Sequence, residues 1–584
     1  MSLALDFKIV CVDGQPQCSR KISQNPQSII RAARKGSLPE MIILINEWDP
    51  KFIHPQEALG VFLLHLQESR VPDLSAPKIS AAAVLANFSM IGLSKIGPYL
   101  GANGQHTPRI RDAWQGIYKW SAYLFASRIE RAEKNDPERS SALVAMVGCW
   151  FFIKQQVAIR DIMLDTPGSI ELATRIWLEE PDGPLQSVSG HPPGIILLHN
   201  MLENAPSDRL DRVVRTAGGD ASKIAKLAVS RVTNSLEAPQ IPAAYLAACL
   251  DVFNSLSRQR DHPLRRALLG AGAISVATNV LVKISNLVHD MVYMEPMVSA
   301  FVYLYNCLES TDTGTWVMQS VTAGLLQAFC DCSPQFSRLD ARDLKMVTDV
   351  VGLRVMRNLI FRSVIEAVHT NLVKIDRGTQ KDLVNASVAK TVWREFYGFA
   401  QMRYTIVQTV NSFIRKRFPC DNVKCLKVGT KEDQVRRCGG CLSTFYCSKE
   451  CQVAAWKEGD HKKMCKLKQR ERTEGKSAPI SPRDSAFFHD LAVMDIRAHI
   501  SILHNRAKRE YTDTLDESLV VCIDYTEIPP AFSLQRWKEF DEEPRPPRLR
   551  RTVPPVSLHS SRRLESILTA TPLFRQGCSE RRVL

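Results

Sequence analysis

The chain has no apolar run long enough to span a bilayer. Its most hydrophobic stretch, residues 142–153, is only about a dozen residues and closes at Lys154, against the roughly 20 that a transmembrane helix needs. Residues 1–12 carry Asp6 and Lys8 inside their apolar stretch and do not read as a secretory signal. Catalytic signatures are missing as well: there is no G-x-S-x-G elbow, no H-E-x-x-H and no dinucleotide glycine fingerprint. Gly475-Lys476-Ser477 fails as a phosphate loop because Arg470 stands where that motif needs its first glycine. These absences point to an intracellular binding protein of the cytoplasm or nucleus, with no enzyme activity and no membrane partner. In that reducing setting, the 16 cysteines argue for thiol or metal chemistry over a disulfide framework.

What is present is a concentration of metal-type ligands. Cys420, Cys425, Cys438, Cys441, Cys447, Cys451, His461 and Cys465 form four close pairs, separated by four, two, three and three residues. A tetrahedral structural zinc takes four such ligands, so two pairs close one site and four pairs close two. Saturated sites leave no position for a catalytic water, and the two expected Zn2+ ions are structural. The other nine cysteines are scattered (Cys11, Cys18, Cys149, Cys249, Cys307, Cys330, Cys332, Cys522, Cys578) and read as ordinary buried apolar residues. Cys330 and Cys332 have no partner ligand near them in sequence and are read as structural too. His199, His289 and His369 sit on apolar helical stretches and read as core histidines.

The ligand order, with Phe445, Tyr446, Cys447, Ser448, Lys449, Glu450, Cys451, Gln452, then Trp456 and His461-Lys462-Lys463-Met464-Cys465, resembles a MYND-type zinc finger. The resemblance covers about 420–465. It implies interleaved sites, with Cys420, Cys425, Cys447 and Cys451 on one zinc and Cys438, Cys441, His461 and Cys465 on the other. The four-residue spacing of the first pair and the long interval from Cys451 to His461 depart from the commoner pattern, and both are tolerable loop insertions. The resemblance further implies a protein-interaction module whose groove takes proline-containing peptides of the P-x-L-x-P type, with Gln452 and Trp456 at groove positions. Trp456 has an equal second reading as the apolar anchor of a small domain. Gly439 replaces a serine that the family's groove carries, which leaves peptide specificity open.

Residues 1–410 read as helix after helix, an α-helical array, with apolar residues at helical spacing (Ile29, Ile30, Ala33; Leu59, Phe62, Leu63, Leu66) and Pro55, Pro77 and Pro193 at helix starts. The turn Leu268-Leu269-Gly270-Ala271-Gly272-Ala273-Ile274 resembles that of armadillo-like repeats. Length favours an irregular, possible solenoid arrangement, with two or three packed helical domains as the alternative. The finger occupies 411–470. A helix over 484–510, with Phe487, Phe488, Leu491, Met494, Ile500 and Leu503 facing a core, and a strand over 519–525 ended by Pro529-Pro530 form a small appendage at 480–540, similar to one that follows the finger in some fungal multi-helix MYND proteins. Residues 541–584, rich in proline and arginine, read as a disordered tail. Its Pro547-Arg548-Leu549 begins the peptide pattern but Arg551 stands in place of the second proline.

The net charge of +15 is concentrated: 411–476 hold 17 Lys and Arg against 8 Asp and Glu, and 544–584 hold 9 against 2. Attraction to nucleic acid, the alternative function, would therefore belong to the finger and tail. Arg415-Lys416-Arg417 and the run after Cys465 also offer a nuclear address. A SET-type lysine methyltransferase is disfavoured, because the cofactor motifs that accompany the finger in those enzymes are missing.

Overall fold

Proline and capping side chains start the helices. The computed structural model describes residues 21–74, 80–100, 104, 106–133, 136–154, 157–180, 193–311, 313–413, 420–422, 425, 434–459, 461–474, 478–511 and 519–536. Helices Pro26–Arg34, Pro55–His65, Pro137–Lys154, Pro193–Leu202 and Pro263–Gly270 all open on proline, whose missing N–H costs nothing in the first turn. Asn25 adds a side-chain cap, accepting from the Ser28 amide at 3.3 Å. The expectations for residues 1–12, Pro77, 415–417, 475–477 and 541–584 lie outside the described residues.

The chain divides into two compact units, Met1–Ala273 and Ile274–Leu584, and the division falls within the helical run. In both units helices pack mainly on helices one to three places away along the chain, so the fold is an irregular helical array. In the first unit Ile29, Ile30, Ala33, Leu59, Phe62 and Leu66 are buried as their spacing predicts. The apolar run 142–153 lies in helix Pro137–Lys154, with Trp150 fully buried. Trp150 meets Trp114 edge-on at 5.2 Å and donates to Ser121 Oγ at 2.9 Å, while Trp114 donates to Thr166 Oγ1 at 2.7 Å. Both indoles thus bury a large apolar area with their N–H groups satisfied. No single helix among the described residues is long and apolar enough to cross a membrane. Helix Pro263–Gly270 ends at a turn in which Gly272 takes φ 88°, a left-handed conformation suited to glycine, and helix Ala273–Ile284 follows.

In the second unit Cys307, Cys330 and Cys332 are buried, and burial pushes the Cys330 and Cys332 thiols far up, as inert core thiols require. His369 is half-buried and stacks on Tyr404 at 3.4 Å. His289 differs from its core reading: it is exposed, near the end of a turn, with Nδ1 2.9 Å from the Asn286 carbonyl.

Helix Pro482–Glu510 is capped by Ser481, whose Oγ accepts from the Asp484 amide at 3.0 Å. Phe487, Leu491 and Leu503 are buried, whereas Ile500 is exposed. Strand Leu519–Asp524 pairs antiparallel with Ala531–Arg536, from Leu519 opposite Arg536 to Asp524 opposite Ala531. Pro529-Pro530 therefore sit in the connection of a hairpin and do not end the sheet. Helix and hairpin are joined to helices Arg362–Arg377 and Lys390–Phe413. Asp484 accepts from the Ser363 amide at 2.8 Å and its hydroxyl at 3.0 Å. Arg403, 1% exposed, donates from Nη1 to both oxygens of Asp495 at 2.7 and 2.8 Å. Tyr525 from the hairpin donates to Asp495 Oδ2 at 2.8 Å.

Removing one partner of a buried ion pair strands the other charge, at a cost of roughly 3–5 kcal/mol. Asp495→Ala should therefore destabilise the second unit by about that amount in denaturant unfolding, and Tyr525→Phe by about 1 kcal/mol. Equal, small effects would contradict this account.

Candidate metal centre

The metal centre is built on a short hairpin followed by two helices. Strands Arg436–Arg437 and Phe445–Tyr446 pair antiparallel, with Arg436 opposite Tyr446. Between them the chain turns through Cys438 to Cys441, with the Cys438 amide donating to Thr444 O at 2.9 Å and the Leu442 amide to Cys438 O at 3.0 Å. The segment at Cys420 is tied to this hairpin from outside: the Asp421 amide donates to Phe445 O at 2.8 Å, and the Phe445 amide to Asp421 Oδ2 at 2.7 Å. Ser448 then caps helix Lys449–Lys457, its Oγ accepting from the Cys451 amide at 3.3 Å, and helix His461–Thr473 carries the last two ligands.

These elements sort the eight ligands into two groups. Cys420, Cys425, Cys447 and Cys451 form one, half-buried, and Cys438, Cys441, His461 and Cys465 the other, fully buried; within each, the ligand atoms all lie within 4.8 Å of one another. The interleaving implied by the family resemblance is therefore present. A zinc tetrahedron with Zn–S near 2.3 Å has S···S edges of about 3.8 Å and S···N edges of about 3.6 Å. The sulfurs of Cys425 and Cys447 are 3.7 Å apart, those of Cys447 and Cys451 3.5 Å, and those of Cys438 and Cys465 3.9 Å. His461 Nε2 lies 3.4 Å from Cys438 Sγ. Both groups fit Zn2+, held by four protein ligands each, and the ion would supply structure.

Protons compete with such an ion at some ligands and less at others. Burial pushes the Cys420 and Cys465 thiols up to about 12, while a hydrogen bond from the Asn422 side chain draws Cys451 down to about 7. Against the desolvation that burial imposes, the backbone amides of Cys441 and Gly440 hold Cys438 below its ordinary value.

The small core between the sites consists largely of the ligands themselves: Cys438, Cys441, Cys465, Tyr446 and Ala455 are buried, with Cys420 and Cys451 packed against them. Tyr446 is 1% exposed and meets the His461 ring edge-on at 5.5 Å. Tyr446 thus takes the anchor place that the sequence reading offered to Trp456. Trp456 also meets His461, at 5.7 Å, yet keeps 38% of its surface exposed. Gln452 stands one helical turn before it.

Asp421, Asn422 and Gly440 are functional positions that ligand spacing alone does not single out. At Gly440 a Cβ would lie 2.7 Å from Cys465 Sγ and 2.7 Å from Gln469 Nε2, whereas at Gly439 it would meet nothing within 4 Å. The Gly440 carbonyl also accepts from Arg472 at 2.8 Å. The C-G-G-C spacing was the available signal.

Gly440→Ala should weaken zinc retention in a chelator competition, and Gly439→Ala should leave it unchanged. Because Cys420 and Cys465 are protonated at neutral pH without metal, zinc loading should release protons, and apparent zinc affinity should rise with pH and fall on acidification. Titration in weakly buffered solution reads the released protons directly.

No curated protein and no solved structure matches the chain. The family model described as MYND finger matches residues 420–465, a span that begins and ends on the first and last ligands. Ligand order, interleaved geometry and family match thus converge on the same residues, and the chain carries a two-zinc MYND finger at 420–465.

Proposed function

We propose that the protein is an adaptor of the cytoplasm or nucleus, without catalysis of its own, in which a helical array carries a finger that captures proline-containing peptides of the P-x-L-x-P type from a second protein. MYND fingers are in general protein-interaction modules, and zinc here holds the module folded. The observation that carries the reading is the exposure of Trp456 at 38% while Tyr446 fills the finger's core. A rigid indole left in solvent offers contact area at little entropic cost, and its N–H can orient a peptide carbonyl. Gln452, at i−4, shares that face and supplies a polar partner.

The test is binding of a fluorescent P-x-L-x-P peptide to the zinc-loaded full chain. Trp456→Ala should lose roughly 30-fold in affinity, the size expected of an aromatic hot spot, with zinc content unchanged. Gln452→Ala should weaken binding less. Cys441→Ala should release zinc and abolish capture while the helical signal persists. Full zinc content in Cys441→Ala, or undiminished binding by Trp456→Ala, would contradict the reading.

A further inference from the structure

The exposed face of the finger's first helix is basic as well as apolar. In helix Lys449–Lys457 the buried side is made by Ala455, with the ligand Cys451 one turn before it. On the other side Lys449, Val453, Trp456 and Lys457 recur at three- and four-residue spacing, which places them on one face. All four are exposed, Val453 at 40% and Trp456 at 38%. The ring contact between Trp456 and His461 brings the first turn of helix His461–Thr473 alongside, with exposed Lys462 and Lys463. Lys468 pairs with Glu471 at 3.2 Å and Arg470 with Glu474 at 3.8 Å along that helix. By contrast, no carboxylate among the described residues lies within ion-pair distance of Lys449, Lys457, Lys462 or Lys463. Glu450, the acidic residue of the first turn, is otherwise engaged and suits the positive end of the helix.

Four cations that no carboxylate among the described residues pairs, set around an apolar pair, define the chemistry of what covers it. We propose that the peptide captured at Val453 and Trp456 carries aspartate or glutamate residues flanking its proline-containing core, so that its carboxylates face Lys449 and Lys457 on the helix and Lys462 and Lys463 beside it. This rests on the capture reading above and adds the class of partner: an acidic segment. Such rim charges act chiefly on encounter rate, salt dependence and rejection of basic competitors, with the apolar anchors supplying most of the affinity.

The test uses the zinc-loaded full chain and three synthetic peptides that share one P-x-L-x-P core, flanked by aspartates, asparagines or lysines. The aspartate-flanked peptide should bind roughly tenfold more tightly than its asparagine twin at low salt, the sum of a few exposed pairs. The lysine-flanked peptide should bind most weakly. Raising salt should narrow the gap, because exposed charges are screened over about 10 Å at 0.1 M. The double variant Lys449→Glu, Lys457→Glu changes only exposed side chains and should close the gap while zinc content and binding of the asparagine peptide persist. Equal affinities for the aspartate and asparagine peptides would overturn the acidic specificity and leave peptide capture standing. Failure of all three to bind would overturn both. If oligothymidylate bound more tightly than the aspartate peptide and lost its affinity in the double variant, the cations would be a nucleic-acid surface and the proposal would fall.

Discussion

Metal coordination is the constraint on which the finger depends. A span this short, with Phe445, Tyr446 and Ala455 as its main buried non-ligand side chains, removes too little apolar surface from water to offset the entropy of ordering its backbone. The thiols occupy the places that leucines and isoleucines hold in a larger domain. Bringing eight ligands into two groups concentrates desolvated sulfur, and burial, reinforced by the neighbouring thiols, drives Cys420 and Cys465 toward the protonated form. A divalent cation turns that liability into folding energy. Interleaving adds a second effect: because the inner pair Cys438 and Cys441 belongs to one site and the flanking Cys425 and Cys447 to the other, neither half of the finger can form by itself.

The same constraint shapes the exposed surface. With the two ligand groups gathered by the Cys420 segment, the hairpin and the inner sides of two short helices, the outer face of Lys449–Lys457 is left largely to solvent, and Trp456 stays partly exposed while its edge contacts the His461 ring. The exposed indole and the buried ligand group therefore meet at one histidine. The rest of the second unit follows different physics. There Arg403, Asp495 and Tyr525 form a desolvated cluster linking two helices and a hairpin, and long-range polar complementarity replaces the metal as the source of specificity.

Much of this was legible in the residues, and what was not has identifiable causes. The ligand set could be read directly, since close Cys pairs among Lys, Arg, Gly and Asp have no apolar explanation. Their division between two metals could not, because pairing is a property of three-dimensional proximity. Helix periodicity located 484–510 to within two residues, yet it assigned Ile500 to a core it does not reach, since a long helix presents more apolar positions than one contact face can cover. The hairpin's second strand was missed because Pro529-Pro530 were read as an end when they form the connection. Arg403 and Asp495, remote in sequence, carry no local pattern at all. Gly440 was visible only as a letter; its role comes from the sulfur that approaches it.

The most direct measurement is the metal content of the purified full chain by mass spectrometry, combined with the helical signal before and after chelation. The account requires two zinc ions per chain and a helical array that keeps most of its signal when they are removed. One zinc or none, or collapse of the whole helical signal on chelation, would contradict it.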